Sequence, residues 1–172
     1  ELKDLDINAV RKQIGVVIQE SGVLAGSVFQ NIVGASHRSL DDAWEAAKMA
    51  GLDQDIDKMP MGMHTVISEG GSTISGGQRQ RLLIARALIN KPRIIFFDEA
   101  TSALDNKTQK TVSDSLEQMN ATRIVVAHRL STIQNADRIY VLEKGRIVET
   151  GNFESLIEAQ GLFSRLASRQ MT

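Results

Sequence analysis

The chain has 172 residues and 42% of them are hydrophobic, enough to bury a real core. Lys+Arg 20 against Asp+Glu 21 leaves a formal net charge of -1, so no broad basic field exists to attract nucleic acid. The absence of cysteine excludes disulfides, zinc–thiolate sites and thiol nucleophiles together. No apolar run approaches the ~20 residues that span a bilayer, and the charged opening "ELKDLDINAVRKQ" is unlike a signal peptide. A soluble, cytoplasmic polypeptide is expected.

In chain order, "QIGVVIQ" (Gln13 to Gln19) is a β-branched apolar run stopped by "ESG" and predicts a buried strand. "SLDDAWEAAKMAGL" predicts a helix capped by Ser39, with Asp41 and Asp42 in the first turn and Gly51 at its end. No other strand is evident from Glu20 to about Lys91, which reads as a mainly helical subdomain. Three short apolar runs follow: "RIIFF" from Arg93, "RIVVAH" from Arg123 and "RIYVL" from Arg138. Between the first two, Val112, Leu116 and Met119 share one helix face. Ile/Val strands alternating with helices predict a parallel sheet covered on both faces. Lys144-Gly145 between two apolar runs predicts a hairpin, and "ESLIEAQGLFSRLASR" a closing amphipathic helix. There is no internal repeat and no low-complexity tract.

The chemistry concentrates in "ISGGQRQRLLIARALINKPRIIFFDEATSALD". Ser75, with Gln78 three residues on, fits a capping box before an apolar helix. Gly76 and Gly77 also leave backbone N–H groups uncovered at the positive end of the helix dipole, an arrangement that favours a phosphate anion. Both readings stand at this point. The apolar strand ending in Asp98-Glu99 is sharper, because open α/β sheets place ligands at the carboxyl ends of their strands. An Asp there can hold Mg²⁺, and a neighbouring Glu can orient or deprotonate a water. His128 ends the next strand, at what should be the same edge, whereas His37 and His64 are read as ordinary surface or core residues.

These segments together resemble the ATP-binding-cassette (ABC) ATPases. "ISGGQRQRLLIARAL" is similar to their signature motif, with Ile74 where Leu is usual, and "IIFFDEATSALD" to their Walker B strand and D-loop. "VVAHRLSTI" is similar to their switch-histidine segment, and "IGVVIQ" to the strand ending in their Q-loop glutamine. The four occur in family order and run over the whole chain. The resemblance implies an α/β fold: an incomplete P-loop-NTPase (RecA-like) parallel-sheet core with an inserted α-helical subdomain. It divides the chain into 1–19 (core strand up to the Q-loop), 20–90 (α-helical subdomain with the signature) and 91–172 (RecA-like core with Walker B, D-loop, histidine loop, hairpin and final helix).

Residue by residue, the resemblance implies ATP and Mg²⁺ as the bound species. Gln19 would contact Mg²⁺ or the attacking water. Ser75, Gly76, Gly77 and Gln78 would grip the γ-phosphate of an ATP held by the opposite subunit. Asp98 would support Mg²⁺, Glu99 would be the catalytic base, and His128 would sense the γ-phosphate. Ser102 and Asp105 would bridge the two sites of a dimer. The implied partners are a second nucleotide-binding domain, in a homo- or pseudo-dimer, and a transmembrane domain, with no nucleic acid. The implied location is the cytoplasmic face of a bacterial membrane.

No Gly-x-x-x-x-Gly-Lys-Ser/Thr occurs in the sequence. In the family that Walker A loop lies upstream of the Q-loop, so the chain resembles the greater part of a nucleotide-binding domain without its front end. Lacking the loop's phosphate cradle and lysine, the chain alone is expected to be inactive. Without the loop's strand, "RIVVAH" is expected to present an open apolar edge and "RIYVL" to lose a neighbour, inviting association or local rearrangement.

"TVISEGG" resembles the Thr-x-x-x-Glu-x-Gly stretch with which ABC exporters touch their membrane domain, with Ser68 where Gly is frequent. "VSDSLEQMNATRIVVAHRLSTIQNADRIYVLEKG" most resembles bacterial peptide or bacteriocin exporters, including those handling nitrile-hydratase-type leader peptides. Two other readings remain at this point. One is an inactive partner that donates only its signature. The other is a non-transport ABC ATPase, disfavoured because neither a long heptad run nor a basic excess is present.

Overall fold

The computed structural model describes residues 2–18, 21–69, 73–98, 104, 106–127 and 130–169. They fall into two compact units, 1–124 and 125–172. This division follows compactness, whereas the three segments read from the sequence follow motif order.

The first unit opens with a short helix, α1 (Ile7–Lys12), and the strand β1 (Ile14–Val17). Residue 15 in that strand has no room for a side chain. A Cβ on Gly15 would stand 2.7 Å from the carbonyl oxygen of Ala87 and 3.0 Å from Pro92 Cγ. The first neighbour is helix backbone and cannot swing aside. Gly15→Ala is therefore expected to push strand and helix apart and to cost about 1–3 kcal/mol, the usual penalty for overpacking. Thermal melting checks this, and an unchanged midpoint would remove the close approach from the account.

Next come β2 (Gly26–Ser27), α2 (Val28–Val33), α3 (Leu40–Met49), α4 (Asp53–Asp57) and β3 (Val66–Ile67). β2 and β3 pair antiparallel, Gly26 opposite Ile67. This sheet corrects the expectation of no further strand between Glu20 and Lys91, because a two-residue strand is too short to show alternation. Helix α3 begins as its sequence demands. Ser39 Oγ accepts from the Asp42 N–H (3.1 Å) and the Asp42 carboxylate accepts from the Ser39 N–H (2.9 Å). The bond from the Ser39 backbone holds the Asp42 carboxyl below its ordinary value, with the Ser39 hydroxyl helping. The helix ends at Gly51, whose φ of 66° is the left-handed conformation. There Gly51 N–H donates to Lys48 O and Leu52 N–H to Ala47 O, closing the last turn.

The unit continues with α5 (Gly76–Leu88), β4 (Ile94–Asp98), α6 (Asn106–Gln118) and the start of β5 (Thr122–Val126), whose last two residues are counted with the second unit. Helix α5 is central: it packs against α2, α3 and β1, and its Leu82, Leu83, Ile84, Ala85 and Leu88 are buried. Each such Leu or Ile contributes roughly 1.5–3 kcal/mol by leaving water. Val112 and Leu116 of α6 join the same core, with Met119 packed against it.

The sheet order is β1-β4-β5, with β1 and β4 parallel and Val17 opposite Phe97. Thr122 N–H donates to Arg93 O (2.9 Å) where β5 begins. Burial alternates along the paired strands: Val17, Ile95 and Phe97 are buried, while Val16 (53%) and Phe96 (38%) are exposed. This corrects the expectation of cover on both faces. Apolar runs state that both faces favour burial, yet Val16 and Phe96 leave the second face of these strands open to water among the described residues. Ile124, Val125 and Val126 of β5 are likewise exposed.

The second unit holds α7 (Leu130–Ile133), β6 (Ile139–Glu143), β7 (Arg146–Gly151), α8 (Phe153–Glu158) and α9 (Leu162–Ser168). β6 pairs antiparallel with β7, and in the described sheets it does not extend the parallel one, contrary to the three-run expectation. Lys144 and Gly145 take φ of 50° and 75°, so the turn has the two positive values that suit the twist of a tight hairpin. Ile139, Val141, Leu156 and Phe163 form this unit's core, with Phe153 edge-on to Phe163. The Glu149 carboxylate accepts from the N–H groups of Leu162 and Phe163, capping α9.

Candidate functional site

The start of α5 is built as a capping box. Ser75 Oγ accepts from the Gln78 N–H (3.1 Å), and Gln78 Oε1 accepts from the Ser75 N–H (2.9 Å). The N–H groups of Gly76 and Gly77 are first-turn donors with no helical acceptor. Ser75 and Gly76 are exposed, and a Cβ added at Gly76 would meet nothing within 4 Å. Among the described residues the helix therefore presents first-turn N–H donors, a hydroxyl and the positive end of its dipole, with open space in front of Gly76.

Both ends of the Gln78 carboxamide are occupied within the chain. Its Nε2 donates to Asp55 Oδ1 of α4 at 2.8 Å. The other carboxylate oxygen pairs with Arg81 Nη2, also at 2.8 Å. Arg81 reaches Thr108 at 3.4 Å as well.

A second polar cluster ties α5 to the segment beyond residue 20. The buried Asn31 accepts from Leu24 N–H (3.0 Å) and donates back to Leu24 O (2.9 Å). Arg86 donates through Nε to Asn31 O and through Nη2 to Asn31 Oδ1, each at 2.6 Å. Burial pushes the Arg86 guanidinium below its ordinary value. Close by in the fold, Val28 N–H donates to Thr65 O, and Met61 N–H to Thr65 Oγ1. Leu24, Met61 and Val66 there are 66%, 62% and 67% exposed, an apolar surface that carries no cover among the described residues.

At the carboxyl end of β4, Asp98 is exposed. The described residues contain no group of three metal-ligating side chains. A Mg²⁺ ion that keeps several waters and takes phosphate oxygens needs only one or two protein carboxylates, so Asp98 fits that demand. Gln19, Glu99, Ser102, Asp105 and His128 lie outside the described residues. Of the other histidines, His37 is exposed and the His64 ring lies tilted against Phe29 at 6.5 Å. Sequence reasoning missed Asp55, Arg81, Asn31 and Arg86, whose partners lie more than twenty residues away in the chain for every bond from α5.

A parallel sheet with Asp98 at a strand end, beside a helical subdomain whose central helix opens on Ser-Gly-Gly, defines a nucleotide-binding fold of the P-loop NTPase class. A family model described as ABC transporter matches residues 1–102, more than half of the chain. The chain belongs to that family. It is 46% identical over 175 residues to Multidrug resistance protein 1 of Entamoeba histolytica, covering 98% of this chain and 13% of that protein. It is 44% identical to an uncharacterized ABC transporter ATP-binding protein, YwjA, of Bacillus subtilis, covering 98% and 30% respectively. Among solved structures it superposes on a bacterial Atm1-family ABC exporter with ATP bound, at a TM-score of 0.92 and 36% identity. That match covers 96% of this chain and 29% of the exporter chain. The chain thus spans less than a third of each of these relatives.

Proposed function

We propose that the chain is part of the ATP-hydrolysing engine of an ABC exporter, working as a dimer of nucleotide-binding domains beneath a transmembrane domain. The observation that carries this reading is the start of α5: a capped, exposed Ser75-Gly76 with open space in front of it. In an ATP-closed dimer it meets the γ-phosphate of a nucleotide bound by the partner. Asp98 supports Mg²⁺ there, Gln19 and His128 line the same phosphate, Glu99 activates the water, and Ser102 and Asp105 bridge the two sites. The exposed Leu24, Met61 and Val66 suit an apolar docking element of the membrane domain, which supports a working position at the cytoplasmic face of a membrane.

The cargo is a peptide of the bacteriocin class. The resemblance of the segment from Val112 to Gly145 to peptide exporters supports this, while the curated relatives carry multidrug-resistance names. These 172 residues contain no Gly-x-x-x-x-Gly-Lys, so they offer a signature to a partner's ATP and no cradle for their own.

Calorimetry with Mg-ATP tests the reading. The 172-residue polypeptide alone is expected to bind weakly or not at all, and to associate in an ATP-dependent way with an intact nucleotide-binding domain of the same protein. Tight binding by the polypeptide alone would mean that a phosphate cradle exists elsewhere in these residues. Failure to associate when ATP is added would remove the signature from its role.

A further inference from the structure

Resting on the reading that the Ser75 end of α5 receives phosphate, we propose that Asp55 is a positioning residue for that end, acting through Gln78. A carboxamide has one accepting end and one donating end. Gln78 can present either its oxygen or its nitrogen toward Ser75, but only the oxygen can accept the Ser75 N–H. An ionised carboxylate only accepts. Placed 2.8 Å from Nε2, Asp55 selects the one orientation that leaves Oε1 for Ser75. The chain of bonds then runs from Asp55 through Gln78 to the backbone of Ser75. The Ser75 Oγ in turn accepts from Gln78 N–H, which leaves its own proton to be donated outward.

A bare carboxylate near a phosphate site would repel the ligand. Asp55 avoids this because its second oxygen pairs with Arg81 at 2.8 Å, with both side chains largely shielded from water. The pair presents no net charge to an incoming anion. Arg81 sits three residues beyond Gln78 on the same helix, so one carboxylate from α4 holds two successive turns of α5. A plain structural brace would need the Arg81 bond alone; the bond to Gln78 is the one that orients the cap.

The test is an exchange of partners in the full-length protein, read as the Mg-ATP concentration that half-saturates hydrolysis. Asp55→Asn can offer its own nitrogen to Gln78 and so loses the selection of orientation. Gln78→Glu sets two carboxylates against each other. Each single change is expected to raise half-saturation about threefold to tenfold, within the usual range of coupling between touching polar groups. The double variant restores one donor and one acceptor, because the new amide donates to the new carboxylate while that carboxylate still accepts from Ser75. It is expected to return to within about twofold of the parent. If the single variants do not fold, Asp55→Glu keeps both acceptors and is expected to stay within about twofold.

A double variant as impaired as the sum of its parts would overturn the proposal. So would turnover that falls at unchanged half-saturation, the mark of a merely structural role, or a large shift in Asp55→Glu. Ser75→Ala separates the two levels: if it shifts half-saturation while the exchange fails, only the Asp55 proposal falls. If Ser75→Ala shifts nothing, the reading of the helix end falls, and the proposal with it.

Discussion

An intact nucleotide-binding domain carrying Ser75→Arg is expected to bind Mg-ATP as the parent does, yet to lose ATP-dependent dimerisation. The helix end it alters is open: Ser75 and Gly76 are exposed, and apart from its chain neighbours and its own helix backbone a Gly76 Cβ would meet nothing within 4 Å. An arginine there would occupy the space a partner's γ-phosphate must enter. Although the guanidinium attracts phosphate, it would hold the anion a side chain's length away from the N–H groups of Gly76 and Gly77. Loss of the Ser75 cap costs about 1 kcal/mol, a small part of the roughly 5–15 kcal/mol that holds a domain folded. The variant should therefore melt close to the parent. Size-exclusion chromatography with ATP under non-hydrolysing conditions checks the outcome, and a normal dimer would refute the assignment of Ser75 to a partner's nucleotide.

Glu99→Gln in the same intact domain should leave ATP binding in place and slow hydrolysis by roughly 10²–10⁴, the usual worth of a positioned general base. The amide keeps the size and one hydrogen-bond acceptor of the carboxylate but cannot take a proton from water. ATP-dependent dimers should therefore accumulate in this variant, opposite to Ser75→Arg. The two changes separate phosphate capture from water activation. Turnover equal to the parent's would move the base elsewhere.

Local patterns carried much of this molecule. Ser39 with Asp42, and Ser75 with Gln78, announce their helices three residues apart, and the bonds they form are short-range. Val112 and Leu116 announce a buried face by spacing alone. Asp55 announced nothing, because its meaning depends on Gln78 and Arg81, which are 23 and 26 residues ahead and arrive only when α4 meets α5. The same holds for Asn31 and Arg86, 55 residues apart. For the sheet, the strands' composition reported that both faces favour burial but not whether a second layer stands there. Val16 and Phe96 stay exposed, the outcome that composition could not announce.

Helix α5 is gripped near its far end, where Ala87 meets Gly15 without a side chain between them and Arg86 is bonded to Asn31. Ser75 stands twelve residues from Ala87, roughly 18 Å at the rise of a helix. The helix is thus a lever with its fulcrum at the strand that leads to Gln19. A tilt of about 5° at the fulcrum carries the serine through roughly 1.5 Å, half a hydrogen-bond length, with no change in the helix itself. Asp55, bonded to Gln78 and Arg81, ties the serine end of that arm to α4, so the arm is held at its outer end as well as at its fulcrum.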